Sequence, residues 1–217
     1  MTIKCLAFDL DGTLLLDESK RMDPRTVDSI QRAMAQGMHV VIASGRDKNG
    51  CKFVYEPLGL ENGNHFLALV NGQVVYDFEN KEYDLDDVLT AEDGVKIQKV
   101  CKQFGVEGIF QCGYDFYSYI SSLNRVKKKV KNAILGEPDD YGLKDGKENR
   151  NFIDLPFEEI RLTQDINKVI MVHSPRFFEK NFEGIKAALS DYDVLLIGPD
   201  WLEIMPKHVN KASALWK

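Results

Sequence analysis

The sequence predicts an α/β fold in which a parallel-sheet core is interrupted by a separate α+β layer. Three observations carry this expectation. Two short apolar runs, residues 3–8 and 39–43, each break abruptly into a polar loop, Asp9-Leu10-Asp11-Gly12-Thr13 and Ser44-Gly45-Arg46, as buried strands do at one edge of a sheet. After about Asn80 the pattern changes to alternating helix-period and strand-period segments, the mark of a second layer. The tail, residues 203–217, then returns as a strand end running into a helix start at Lys211.

Each element has its own punctuation. The first helix follows Asp23 as N-cap and Pro24 in the first helical position, with Val27, Ile30 and Met34 at helical spacing and Gly37 placed to stop it. Strand, helix and strand in that order make a parallel pair joined by a crossover, so both polar loops emerge at the carboxyl edge, where open α/β sheets hold ligands. Residues 66–70 read as a third strand, and Asn71-Gly72 before Val74, Val75 and Tyr76 reads as a hairpin turn. In the second layer the expected helices cover residues 90–104, 123–135 and 175–189. The expected strands cover 106–112, 116–120, 168–173 and 194–197, and a surface loop covers 136–150. The expected division is a core of residues 1–80 plus 200–217 and an insert of 81–199.

Composition narrows the function classes. The chain has 217 residues, 44% hydrophobic and 29% charged, with a net charge of −6, a poor balance for holding a nucleic-acid backbone. Its longest apolar run is about five residues, against the roughly 20 that cross a bilayer, and the N-terminus has no apolar signal region. Four scattered cysteines, with Cys5 in an apolar run where a packed thiol is expected, fit a reducing, cytoplasmic address. The four histidines show no metal-ligand spacing. Residues 125–131 hold five basic side chains on a helix whose Leu123, Val126, Val130 and Ile134 form an apolar stripe, and an ordinary solvated amphipathic helix is expected. Tyr114, Phe116, Tyr117 and Tyr119 alternate at strand period, at least half of them expected in the core and the rest free to line a pocket.

Asp9 and Asp11 stand two apart where the first strand ends, beside Gly12, which lets the backbone turn, and Thr13, which holds the turn. Two such carboxylates suit two jobs, an anionic nucleophile and a proton carrier. Oxygen ligands of this kind, with phosphate, prefer Mg2+. An ordinary Asp-Gly turn is the plain alternative.

The run Phe8-Asp9-Leu10-Asp11-Gly12-Thr13-Leu14 after an N-terminal apolar strand resembles the first motif of the haloacid dehalogenase superfamily of phosphotransferases. Ser44-Gly45-Arg46 resembles its second motif, and Lys211 in Val209-Asn210-Lys211-Ala212 its third. The large insert and Asn71-Gly72 resemble the Cof-like sugar-phosphatase branch, which implies a Rossmann-like core with an inserted α+β cap domain. The resemblance implies that Asp9 is the nucleophile, that Asp11 is the acid and base, and that Lys211 pairs with phosphate and nucleophile. It further implies that Mg2+ is held by the Asp9 carboxylate and the Asp11 main-chain carbonyl. Thr13, Ser44, Gly45, Arg46 and Asn71 are the expected phosphate or substrate contacts, Arg46 and Asn71 with a structural role as the alternative. Phosphoryl transfer asks for this set: an in-line nucleophile, hydrogen-bond donors and positive charge on the equatorial oxygens.

The family's fourth, acidic motif should follow Lys211, and the sequence given ends at Lys217 before it. The core is therefore expected to be C-terminally incomplete, with the first strand at a sheet edge and open to self-association. The expected function is Mg2+-dependent hydrolysis of a small phosphorylated metabolite such as a sugar phosphate. A phosphosugar mutase and a non-catalytic binding or scaffold protein are the alternatives.

Overall fold

The computed structural model describes residues 3–15, 21–135, 151–157 and 163–216. In chain order the elements are β1 (Cys5–Asp9), α1 (Pro24–Ala35), β2 (His39–Ala43), α2 (Lys52–Leu58), β3 (Phe66–Leu69), β4 (Val74–Asp77), β5 (Glu82–Leu85), α3 (Ala91–Phe104), β6 (Glu107–Cys112) and β7 (Asp115–Ile120). They continue with α4 (Ser122–Leu135), β8 (Asn151–Pro156), β9 (Lys168–Val172), α5 (Pro175–Ala188), β10 (Tyr192–Gly198), β11 (Trp201–Pro206) and α6 (Lys211–Ala214). The loop expected over 136–150 lies outside the described residues.

Two compact units result, Met1–Asp87 with His208–Lys217, and Val88–Lys207. This departs from the expected limits at both ends. β5 pairs with β4 and extends the first unit, whereas β11 lies between β10 and β9 in the sheet of the second.

The first unit holds a five-stranded sheet in the order β1-β2-β3-β4-β5, parallel across β1, β2 and β3 and antiparallel beyond. The period of two sends Val40, Ile42, Leu67 and Leu69 to one face, where Ile30 of α1 and Val54, Tyr55 and Leu58 of α2 cover them. The opposite face carries smaller side chains, Val41, Ala43 and Ala68, packed with Ala214 of α6, and opens into a groove of about 810 Å³. Asp23 caps α1 as expected, its carboxylate accepting from the Arg25 N–H at 2.8 Å.

β1 occupies the sheet edge, so half of its surface stays open. Cys5 is consequently exposed, not packed as the sequence suggested, while Cys51, Cys101 and Cys112 are buried. Burial pushes the Cys51 and Cys101 thiols up to about 12 and the Cys112 thiol up to about 11, which starves them of thiolate. A disulfide reagent under native conditions should titrate Cys5 quickly and reach the other three only on unfolding. Two or more fast thiols would contradict this burial.

The other end of β2 carries a pH-sensitive contact. His65 Nδ1 accepts the Val40 N–H at 3.1 Å, and burial, with His39 beside it, holds the imidazole below its usual range. Acid must protonate that acceptor, and the unfolded chain takes the proton first, at about pH 6.5. Stability should therefore fall as pH drops through about 6.5 toward the lower native value. Urea midpoints at pH 7.5 and 5.5 should separate in the parent chain and move closer together in His65→Gln.

The second unit is a six-stranded sheet, β10-β11-β9-β6-β7-β8, with α3 and α5 on one face over Phe110, Tyr119, Val169, Met171, Leu202 and Ile204. Phe116 and Tyr119 are core residues, while Tyr114 is exposed. The other face mixes Ile109, Phe116 and Ile170 with buried charge: Lys168 meets Glu203 at 2.6 Å, and Glu107 accepts from Ser118 and, at 2.9 Å, from Lys128 of α4. That last contact inverts the expected orientation of α4. Lys128 turns inward to the carboxylate, and Leu123, Val126, Val130 and Ile134 are 65%, 60%, 55% and 77% exposed. An unpaired buried carboxylate costs more than a few solvated aliphatic chains, which gives the inversion its physical cause.

Among the described residues no helix is long and apolar enough to cross a membrane.

Candidate active site

Four loops of the first unit meet at the carboxyl end of β1, β2 and β3. The first leaves β1 at Asp9. Gly12, at φ 76°, turns it, the Gly12 N–H bonds the Leu15 carbonyl at 2.8 Å, and the Thr13 main-chain N–H bonds the Leu10 carbonyl at 3.2 Å. Buried Leu10, Leu14 and Leu15 anchor the loop, which leaves Asp9 and Asp11 at its surface.

Each carboxylate is met by a cation from another loop. Asp9 Oδ1 accepts from the Leu10 N–H at 2.8 Å and from Lys211 Nζ at 2.7 Å. Asp11 is gripped by a guanidinium fork: Arg46 Nη2 donates to Oδ1 at 2.8 Å and Nε to Oδ2 at 3.2 Å. Such a pair at a solvated surface contributes about 0–1 kcal/mol. Both cations come from regions far away in sequence, so the charges balance only in the fold.

Ser44 follows β2 directly and is fully buried. Its N–H bonds the Ala68 carbonyl at 2.8 Å, its Oγ accepts the Arg46 N–H at 3.2 Å, and its carbonyl accepts the Asn71 N–H at 3.0 Å. The Cys51 thiol hydrogen-bonds the same side chain, a neighbour that no sequence signal announced. A Cβ on Gly45 would lie 2.8 Å from Asn71 Oδ1, so a side chain there would displace the Asn71 amide. Arg46 is held at both ends of its residue, the Val70 N–H reaching its carbonyl at 3.0 Å and its guanidinium lying 5.7 Å over the Phe53 ring.

The Asn71-Gly72 turn does more than close the hairpin between β3 and β4. Val70, Asn71 and Gly72 have φ of 48°, 58° and 98°, a run of left-handed backbone that a β-branched residue adopts only under strain. A Cβ on Gly72 would sit 2.1 Å from the Asn210 carbonyl oxygen and 2.9 Å from the Lys211 N. Asn210 in turn caps α6, its Oδ1 accepting from Ala212 and Ser213 N–H at 3.0 Å. The turn therefore touches the Ser44 loop on one side and seats Lys211 on the other. Read as a hairpin signal alone, Gly72 gave no hint of that second task.

Residues 6–217 match the sequence profile of the haloacid dehalogenase-like hydrolases. The chain belongs to that family. A Streptococcus pyogenes serotype M6 protein bearing a phosphatase name is 29% identical over 224 residues, covering 99% of this chain and 74% of its own length. The Bacillus subtilis 5-amino-6-(5-phospho-D-ribitylamino)uracil phosphatase YcsE is 39% identical over 75 residues, 35% of this chain and 28% of its own length. Among solved structures, the haloacid dehalogenase subclass IIB sugar phosphatase BT4131 superposes with a TM-score of 0.69 at 19% identity, covering 98% of this chain and 73% of that one. TM0651 from Thermotoga maritima gives 0.69 at 21%, covering 99% and 73%. Likeness at these identities is one of fold, and it agrees with the expected α/β core bearing an inserted α+β unit.

The family implies a divalent metal, and the donor set here fits one in minimal form. The Asp9 carboxylate and the Asp11 main-chain carbonyl are oxygen donors of the kind that hold Mg2+, an ion that keeps several waters and takes phosphate oxygens as further ligands. Among the described residues no group of three or more His, Cys, Asp or Glu side chains gathers anywhere to add a richer site.

Proposed function

We propose that this chain is a Mg2+-dependent phosphomonoester hydrolase working through an aspartyl-phosphate on a small phosphorylated metabolite such as a sugar phosphate. The observation that carries the reading is the presentation of Asp9. Oδ1 is fixed by Lys211 and the Leu10 N–H, which leaves Oδ2 as the free nucleophilic oxygen on a half-exposed side chain.

Asp9 Oδ2 forms the bond to phosphorus while the bond from phosphorus to the alcohol oxygen breaks. Asp11 delivers a proton to that leaving oxygen, then takes one from the water that attacks the aspartyl-phosphate and frees inorganic phosphate. Lys211, at the rim of the same site, supplies positive charge to the equatorial oxygens, with the Gly45 N–H nearby as a further donor. A bound Mg2+, held by Asp9 and the Asp11 carbonyl, would neutralise charge on the transferred group.

The test is phosphate release from a generic phosphomonoester and a panel of sugar phosphates, with Mg2+ and with chelator. Metal-dependent turnover of at least one substrate is expected, and none in a folded sample would overturn the reading. The small acidic set, two carboxylates each already paired, favours one second reading, a protein that binds phosphorylated ligands without turning them over. Saturable binding without phosphate release would identify it. The edge position of β1 supports self-association through that strand, which sedimentation at two protein concentrations would reveal. The unpaired thiols support a cytoplasmic address.

A further inference from the structure

The grip of Arg46 on Asp11 conflicts with the work asked of Asp11. Both Asp11 oxygens accept from one guanidinium, so neither is open to a leaving oxygen while the fork holds. We infer that Arg46 is a phosphate-operated latch: it parks Asp11 in the empty site and transfers its fork to the phosphoryl group of an arriving substrate, which frees Asp11 for proton transfer. The inference rests on the hydrolase reading above and adds to it a positioning role for Arg46.

Three features of the geometry support exchange in place of a permanent strut. The Arg46 main chain is held by Ser44 Oγ and by the Val70 N–H, so its root stays fixed when the head group leaves Asp11 and the Phe53 ring. The Asp11 side chain is 62% exposed and that of Arg46 30%, so the pair is solvated and cheap to separate. Arg46 also issues from the loop after β2, and Asp11 lies two residues from Asp9, so both partners stand at the edge where a phosphoryl group would meet Asp9. A phosphate dianion offers the fork two coplanar oxygens and twice the charge of a carboxylate, and it wins the exchange. Lys211 remains on Asp9 throughout, so nucleophile and acid are controlled by separate cations.

A double-mutant cycle on inorganic phosphate binding tests this in the full chain, with dissociation constants read from the Gly45 and Arg46 amide shifts. Asp11→Asn should tighten phosphate roughly tenfold by releasing Arg46 for it, and Arg46→Gln should weaken it. The decisive value is Asp11→Asn in the Arg46→Gln background, where the gain should vanish. Arg46→Lys, which keeps charge and loses the fork, should retain only part of the gain. An equal gain with and without Arg46 would mean simple repulsion between Asp11 and phosphate and would overturn the latch while leaving the hydrolase reading intact. Phosphate that fails to shift these amides in any folded variant would overturn both.

Discussion

Asp9→Asn is expected to lower phosphate release on the order of 10⁴-fold or more, the scale on which loss of a covalent nucleophile is felt. The side chain is isosteric, and its Oδ1 can still accept the Leu10 N–H now bonded at 2.8 Å. What disappears is the anionic oxygen that attacks phosphorus, together with the charge that draws Lys211 Nζ to 2.7 Å. Both partners are well exposed, so loss of their ion pair should change stability by no more than about 1 kcal/mol. Turnover and a urea midpoint measured on the same sample separate the two effects. A variant that keeps metal-dependent turnover would remove Asp9 from the nucleophile's place, and one that fails to fold would show that the pair with Lys211 holds the core together.

Gly72→Val should be the most damaging substitution outside the charged residues. The glycine stands at φ 98°, and any Cβ there would press to within 2.1 Å of the Asn210 carbonyl oxygen. Neither side can yield cheaply, because the obstacle is backbone and Asn210 is committed to capping α6. Left-handed strain and the clash together should cost about 3 kcal/mol, and relief of the clash must push the Lys211 end of α6 away from Asp9. A displacement of about 1 Å in a catalytic group can cost about 10²-fold in rate. Gly72→Ala should show the same pattern to a smaller degree, and a denaturant midpoint beside kcat would record both. Unchanged stability and rate in Gly72→Val would mean that the turn does not seat Lys211.

Much of this molecule was written in local pattern. Short apolar runs ending in polar residues marked β1, β2 and β3, and Asp23-Pro24 marked the start of α1, because burial and capping act over a few residues of chain. Elements with weaker signals were not read. α2 is seven residues long and contains Pro57, and β8 has an exposed, mixed pattern that resembles a loop. β11 was assigned to the wrong unit because strand pairing is settled by which neighbour offers a free edge, and β9 offered it. The orientation of α4 failed for a related reason: its apolar stripe predicts burial, but buried Glu107 required a cation and took Lys128.

The sequence by itself placed Asp9, Asp11, Ser44 and Arg46 at strand ends and Lys211 at a helix start, and the resemblance of their motifs to a known family marked them as candidate site residues. Only the tertiary structure decided which charges pair. Asp11 meets Arg46 across 35 residues and Asp9 meets Lys211 across 202. The spacing of one loop says nothing about a partner delivered by another, and the closeness of Gly72 to the Asn210 carbonyl, which seats Lys211, is a contact between backbones that carries no side-chain signature at all.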